Sequence, residues 1–152
     1  MQLIFLGPPG AGKGTQAKIL SKQWEIPHIS TGEILRQAIA KKTTLGLKAK
    51  VYVHSGKLVP DRLAFALMRE RFGHHDIQQG WIVDGFPRNL SQAQAFDQLL
   101  EIVGQPYGQA FNFKVPSEVL VKRLLERGRN DDGEAILFKQ LSIYEKETLS
   151  LI

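Results

Sequence analysis

A glycine-rich stretch near the start of the chain, GPPGAGKGT at residues 7–15, has the residue types that hold phosphate groups. Glycine allows backbone conformations in which successive N–H groups point at one anion, and the helix that follows presents its positive end to the same anion. Lys13 is placed to reach the outer phosphates. Loops of this kind usually have Ser or Thr directly after the lysine, but here Gly14 intervenes and the hydroxyl is that of Thr15. The stretch therefore predicts a phosphate site that departs by one position from the common pattern.

Three polar side chains stand at or after the end of the apolar run WIV, in the segment WIVDGFPRNLSQ at residues 81–92. Asp84 ends the run, where a carboxylate can hold the water shell of Mg²⁺ beside the phosphate loop, although an aspartate at a strand end more often only forms a turn. Arg88 can point back into the same cleft, because a guanidinium matches phosphate geometry through two hydrogen bonds. Gln92 can offer one acceptor and one donor to the edge of an adenine ring.

Further arginines lie on predicted helices. Arg36 follows, by about one turn, a helix start that Ser30 or Thr31 can cap, and Arg123 and Arg127 share one face of a later helix. Each pattern taken alone is common in structural helices, where arginines usually face solvent. Beside a phosphate loop, each arginine becomes a candidate for phosphate binding.

These groups can meet only if the ends of several strands lie together. Apolar runs predict strands at 2–7, 27–30, 80–84 and 110–115, and helical periodicity predicts helices at 13–24, 33–41, 47–55, 61–72, 91–103, 117–127 and 131–151. Strands separated by helices indicate a parallel sheet covered on both faces, and ligands bind at the carboxyl ends of such strands. The first helix is expected to bury Ile19 and Leu20, and Trp24 and Trp81 are expected in the core.

The composition narrows the class of protein. A chain of 152 residues is expected to form one domain, and the absence of cysteine excludes disulfides, thiolate metal sites and a cysteine nucleophile. Lys and Arg number 20 against 15 Asp and Glu, so a polyanionic partner is expected, either nucleic acid or nucleotides. No apolar run is long enough to span a bilayer and the first residues do not resemble a signal peptide, so we expect a cytoplasmic protein without a membrane partner.

Five segments together resemble the nucleoside monophosphate kinases, and within them the adenylate kinases: GPPGAGKGTQ, ISTGEILR, SGKLVPD, WIVDGFPRNLSQAQAF and VLVKRLLERGRNDDGEAILFKQL. The resemblance implies a P-loop NTPase-type α/β fold with three α/β/α layers around a parallel sheet, of which four strands are visible here and five occur in the family. It implies a core domain at 1–30 and 60–152 with an abbreviated lid at about 123–131, as in the shortest bacterial members, and an AMP-binding subdomain at 31–59.

The resemblance also implies two nucleotide sites. ATP is expected at Gly10, Ala11, Gly12, Lys13, Gly14, Thr15 and Arg123. AMP is expected at Thr31, Arg36, Lys57, Val59, Gly85, Arg88, Gln92 and Arg129. The catalytic residues are expected to be Lys13, Arg88, Arg123, Arg127 and Arg129, with Asp131 holding one of the arginines. Asp84 is expected to hold Mg²⁺ through water, and no zinc is expected because the lid is short and has no cysteine.

These sites imply a monomeric ATP:AMP phosphotransferase whose partners are ATP, AMP and ADP rather than nucleic acid. Thr31 favours AMP, because kinases for UMP and CMP more often have alanine at this position. Gln140 stands where the family usually has another phosphate-binding arginine, and Lys139 beside it is rotated by about 100° around the helix, so reduced turnover is expected. Family members also continue, after a segment like YEKETLSLI at residues 144–152, with one more strand and a helix. A UMP/CMP kinase and a nucleotide-binding module with little or no turnover stay open as alternatives.

Overall fold

The computed structural model describes residues 1–106, 108–128 and 133–152, so the predictions made for Arg129 and Asp131 lie outside the described residues. Within these ranges the strands are β1 (Gln2–Leu6), β2 (His28–Ser30), β3 (Trp81–Asp84) and β4 (Gln109–Asn112). The helices are α1 (Lys13–Trp24), α2 (Thr31–Ala40), α3 (Thr44–His54), α4 (Asp61–Phe72), α5 (Leu90–Ile102), α6 (Ser117–Arg127) and α7 (Glu134–Ile143). A short helical turn lies at His75–Gln79, between α4 and β3, and two more follow α7 at Tyr144–Thr148 and Leu149–Leu151.

The strands form a parallel sheet in the order β2-β3-β1-β4. Its register pairs Phe5 with Asp84 across β1 and β3, and Ser30 with Asp84 across β2 and β3. The carboxyl ends of these three strands therefore lie at one edge of the sheet, and the segments that carry the predicted site residues all leave from that edge. The predicted α/β class with a parallel sheet is confirmed.

Two apolar clusters cover the two faces of the sheet, because successive side chains of a strand point to opposite faces. In β1, Ile4 packs into the larger cluster, whereas Leu3 and Phe5 pack with Ala17 of α1. The larger cluster contains a group of aromatic rings around Phe96, which contacts Phe72, Trp81 and Phe86 at centroid distances of 5.3 to 6.0 Å. This core fixes β3 and α5, and with them the segment between residues 84 and 90.

The sequence-based boundaries are right for α1, α4 and α6 and wrong at the C-terminal end. One helix was predicted over 131–151, but the α-helix ends at Ile143, and the chain then forms a π-helical turn and a 3₁₀ turn. The strand predicted to reach residue 115 ends at Asn112.

Two predictions about the core are also wrong. Ile19 is 54% exposed and Trp24 is 37% exposed, whereas Trp81 is fully buried as predicted. In α1 the fully buried residue is Ala17, whose small side chain lets the helix lie close to the sheet, and Leu20 packs against the same cluster.

Candidate active site

The phosphate loop connects the carboxyl end of β1 to α1. Gly12 precedes the first turn of α1 with a φ of 96°, a left-handed conformation that favours glycine, and beyond its two chain neighbours no described residue has an atom within 4 Å of the place a Cβ would take. No side chain of the described residues caps the helix. The first N–H groups and the positive end of α1 are therefore open to an anion.

Lys13 lies over this loop. Its Nζ donates to the carbonyl oxygens of Gly7 at 2.8 Å and Pro8 at 2.9 Å. Burial is the main cause that lowers the pKa of the ammonium to about 8; the Asp84 carboxylate opposes this shift, and the positive charges of Arg88 and Arg127 contribute to it. The lysine therefore lies among charged groups from two other segments of the chain, and a phosphate in the loop would favour its charged form.

Asp84 ends β3 beside the same loop and is 9% exposed. A Cβ at Gly14 would lie 3.3 Å from Asp84 Oδ2, so the glycine leaves room for the carboxylate next to the loop. His28 Nε2 lies 3.5 Å from the same oxygen and has no hydrogen-bond partner among the described residues. Magnesium is commonly bound by one or two carboxylates, substrate phosphates and retained waters, so a single carboxylate beside a phosphate loop fits this ion.

The turn after β3 orders two further side chains around one carbonyl group. The oxygen of Gly85 accepts from Thr31 Oγ1 at 2.9 Å and from Arg88 Nε at 2.8 Å. Gly85 has a φ of 80°, and a Cβ there would lie 3.0 Å from Thr31 Oγ1. Burial lowers the pKa of Arg88, with a further contribution from the positive charge of Arg36.

Arg36 reaches the cavity from the second turn of α2. The cap of this helix is Ser30, whose Oγ accepts from the N–H of Glu33 at 3.4 Å. The guanidinium of Arg36 lies against the backbone of Gly32, where an added Cβ would be 3.3 Å from both Nη atoms. Glu33 forms an ion pair with Lys18 of α1 at 2.7 Å, which lowers the pKa of the glutamate. These contacts connect the start of α2 to the phosphate-loop helix.

Gln92 is 3% exposed and both ends of its amide group form hydrogen bonds. Its Oε1 accepts from the N–H of Arg88 at 2.8 Å, and its Nε2 donates to Asp61 Oδ1 at 2.8 Å. Neither contact was predicted from the sequence.

Residues of α6, α7 and the π-helical turn form a further wall of the cavity that the phosphate loop, the turn after β3 and α2 also line. Arg123 is exposed and Arg127 is half-buried on α6, and Gln140, Tyr144 and Thr148 line the cavity from one face of the last segment. Thr148 Oγ1 donates to the carbonyl oxygen of Arg88 at 2.7 Å. A threonine near the end of a predicted helix gives no signal of such a contact, which depends on the π-helical turn that the sequence pattern did not indicate.

A continuous cavity of about 1470 Å³ joins all these elements. The predicted site residues that line it are Gly10, Ala11, Gly12, Lys13, Gly14, Thr15, Thr31, Arg36, Lys57, Val59, Asp84, Gly85, Arg88, Gln92, Arg123 and Arg127. At one end lies the phosphate loop and at the other the arm formed by α2 and α3, with Arg88 on the turn between them. The cavity can therefore hold two phosphorylated ligands with cationic groups around both.

Comparisons with known proteins agree with this arrangement. A family model described as "Adenylate kinase" matches residues 5–152. The "Adenylate kinase 1" of Nostoc sp. is 52% identical over 151 residues, which cover 99% of this chain and 82% of that protein. The "Adenylate kinase 1" of Synechocystis sp. is 53% identical over 150 residues, covering 99% and 80%, and the "Adenylate kinase" of Corynebacterium glutamicum is 45% identical over 152 residues, covering 100% and 84%.

The chain belongs to the adenylate kinase family. Membership confirms the resemblance drawn from the five segments and the P-loop NTPase class of the fold. It also confirms the enzyme class, a nucleotide-binding phosphotransferase with nucleoside monophosphate kinase activity, and it does not favour the alternatives. In the part of the chain that the structure describes, no helix has the length and apolar character needed to cross a membrane.

Proposed function

We propose that this protein transfers the γ-phosphoryl group of Mg-ATP to AMP, reversibly, giving two molecules of ADP. The observation that carries the proposal is the continuous cavity, in which the phosphate loop, the turn after β3 and the start of α2 face one another. The acceptor is an anionic phosphate oxygen, so no general base is needed. Catalysis then depends on positioning two nucleotides and neutralising their phosphates.

The donor site of this proposal is the phosphate loop with Lys13 and Arg123. The N–H groups of residues 10–15 bind the phosphates of ATP at the positive end of α1. Lys13 turns from the carbonyl groups of Gly7 and Pro8, which it contacts now, toward the phosphates. Arg127 and Arg129 act on the phosphoryl group during transfer, and Asp131 holds one of the arginines.

The acceptor site uses the other end of the cavity. Arg36 and Arg88 bind the phosphate of AMP. Arg129 also binds AMP, in addition to its role in the transfer of the phosphoryl group. Thr31, Gly85 and Gln92 contact the adenine end, and the backbone of Lys57 and Val59 lies against the nucleoside. In support, the Gly85 carbonyl, Thr31 and Arg88 are already held together by hydrogen bonds.

Asp84 is the residue that would hold Mg²⁺, through water, next to the donor phosphates. When bound, the ion neutralises phosphate charge. The contribution of the chain is the buried carboxylate itself, which β3 holds beside the loop at a place that Gly14 leaves open.

We further propose that the chain has a core domain at 1–30 and 60–152, with an abbreviated lid at about 123–131, and an AMP-binding subdomain at 31–59. In support of the subdomain, α3 packs tightly on α2, because a Cβ at Gly46 would overlap the carbonyl of Ala38. We expect this arm to swing inward when AMP binds, and we expect the protein to act as a cytoplasmic monomer without a nucleic-acid partner. Gln140 lacks the charge of an arginine, so we expect reduced turnover.

Formation of ADP from Mg-ATP tests the proposal, measured with AMP, UMP or CMP as acceptor at high enzyme concentration. Turnover is expected with AMP and should be much lower with UMP and CMP. The Lys13→Ala variant should lose it, while Lys139→Ala, at an exposed neighbour of Gln140, should retain it. Equal turnover with UMP or CMP would refute the acceptor assignment. ATP binding without ADP formation would indicate a nucleotide-binding module instead.

A further inference from the structure

Asp61 is the one acidic residue in the first turn of α4, where a carboxylate is usually explained by its favourable position at a helix N-terminus. In this structure it also has specific partners. Its Oδ1 accepts from Gln92 Nε2 at 2.8 Å and from Asn89 Nδ2 at 3.1 Å. Two amide groups from another segment thus converge on one oxygen of Asp61.

The cluster is closed through α5. Asn89 caps that helix, and its Oδ1 accepts from the N–H of Gln92 at 2.8 Å. The N–H of Arg88 donates to Gln92 Oε1 at 2.8 Å. The backbone N–H of Arg88 therefore holds the carbonyl end of the Gln92 amide on one side, and the Asp61 carboxylate holds its NH₂ end on the other.

This arrangement fixes which way the amide of Gln92 points. A rotation of the amide by 180° would place its oxygen against the Asp61 carboxylate and its NH₂ against the Arg88 N–H. Both hydrogen bonds would be lost, and a buried polar group without a partner is costly. Asp61 is thus a reason why the orientation with Nε2 toward α4 is preferred.

The fixed orientation has a consequence for the base that Gln92 meets. An amide has two N–H donors and two acceptor positions, so one donor and one acceptor remain after the bonds to Asp61 and Arg88. The edge of adenine offers N1 as acceptor and the 6-amino group as donor, which match that pair. A 6-oxopurine offers an N1–H donor and an O6 acceptor, the reverse order, and pairing with it in the same place needs the rotated amide.

We propose that Asp61 is a positioning residue that selects 6-aminopurine over 6-oxopurine acceptors by locking the amide of Gln92. This inference rests on the proposed function, in which Gln92 contacts the base of AMP. Asp61 acts through Gln92 and does not touch the nucleotide.

The test compares AMP with inosine monophosphate as acceptors. The quantity measured is the ratio of their kcat/KM values with Mg-ATP, together with the ratio of their dissociation constants from equilibrium titration. Asp61→Ala should lower both ratios about tenfold, through KM for the acceptor, with little change in KM for ATP. Asp61→Asn should retain most of the selectivity, because the two donors that converge on position 61 favour an oxygen there.

Two further variants separate positioning from stability. Glu118→Ala removes the acidic residue in the first turn of α6, which does not line the cavity, and should lower the melting temperature without changing either ratio. In a Gln92→Ala background, Asp61→Ala should have no further effect on the ratios, because the residue through which it acts is gone.

The outcomes are distinct. If Gln92→Ala leaves the wild-type ratios unchanged, the proposed contact between Gln92 and the base is wrong, and the role of Asp61 with it. If Gln92→Ala lowers the ratios but Asp61→Ala does not, the proposed function stands and the lock is refuted. If Asp61→Ala and Asp61→Asn weaken both acceptors equally, Asp61 serves only the stability of α4.

Discussion

The acceptor end of the cavity and the wall formed by α6 and α7 hold their polar side chains in different ways. At the acceptor end, Thr31 and Arg88 share the Gly85 carbonyl, and Gln92 is buried between Arg88 and Asp61. On the wall formed by α6 and α7, Arg123 is exposed and Gln140 has no charge. The polar side chains of the acceptor end are thus held by hydrogen bonds, whereas Arg123 on the wall is exposed to solvent. This difference indicates that substitutions at the acceptor end affect recognition most, and that substitutions on the wall affect rate.

The largest effect is expected from two matched arginine substitutions. Arg88→Lys loses the bond from Nε to Gly85 and the paired contact with phosphate that we propose for it, so kcat/KM for AMP should fall about 10²- to 10³-fold. Arg123→Lys, at an exposed position, should lower it less than about tenfold, because a flexible ammonium can replace a solvated guanidinium. Steady-state kinetics of both variants measures the contrast, and equal losses would remove the distinction between the acceptor end and the α6 and α7 wall.

Gln140→Arg tests the α6 and α7 wall by adding a positive charge instead of weakening an existing arginine contact. The added guanidinium enters the cavity beside Tyr144, and kcat should rise by up to about 10²-fold with little change in KM for AMP. Lys139→Arg, which changes an exposed neighbour without changing its charge, is the control and should leave kcat as it is. Unchanged kcat in Gln140→Arg would mean that the other arginines already compensate for the missing charge.

The pH dependence of ATP binding tests the phosphate loop. The pKa of Lys13 is lowered to about 8 in the free protein, and phosphate favours the charged form, so its pKa is higher in the complex. The complex then holds more protons than the free protein above pH 8. ATP affinity should consequently fall as pH rises above 8, by up to about tenfold per pH unit.

Calorimetry at pH 8.5 in two buffers of different ionisation enthalpy measures the proton uptake that accompanies ATP binding. Lys13→Arg keeps its charge throughout this range, so its uptake should be close to zero. Binding of ATP to the wild-type chain without proton uptake would contradict the assigned role of Lys13.

The smallest effect is expected at Thr148. Thr148→Val removes the hydrogen bond to the Arg88 carbonyl, so the free energy of unfolding should fall by about 1 kcal/mol and kcat/KM by a few-fold. Ser150→Ala removes an exposed hydroxyl that bonds to Glu147 nearby and should change neither quantity. Denaturant unfolding and kinetics of the two variants measure this, and identical behaviour would show that Thr148 does not support the acceptor end.

Local signals in the sequence account for most of the fold. The start of α1 follows from the glycine-rich loop before it. The strands β1 and β3 follow from apolar runs, because both faces of the sheet are covered and successive side chains of each strand are buried in one cluster or the other. The C-terminal segment was predicted as one helix, because the change to a π-helical turn leaves no local pattern. Trp24 was placed in the core by its residue type, although Ala17 is the residue that faces the sheet.

The residues of the candidate site also form two groups, those that the sequence predicts and those that only the folded structure brings into contact. Its glycines, lysine and arginines stand in segments that resemble a known family, and they can be read from the sequence. Asp61 and Thr148 cannot be found this way, since their partners Gln92 and Arg88 are distant in the chain and are brought near only by packing of the core. The proximity of His28 to Asp84 likewise depends on the pairing of β2 with β3.

The central claim is that one cavity holds a donor and an acceptor nucleotide side by side. Calorimetric titration with an inhibitor in which two adenosines are joined through a chain of phosphates tests it most directly. We predict binding of one inhibitor per chain, much tighter than that of ATP or AMP alone, and competition with both nucleotides. An inhibitor that binds no more tightly than ATP, or that leaves AMP binding unchanged, would contradict the claim.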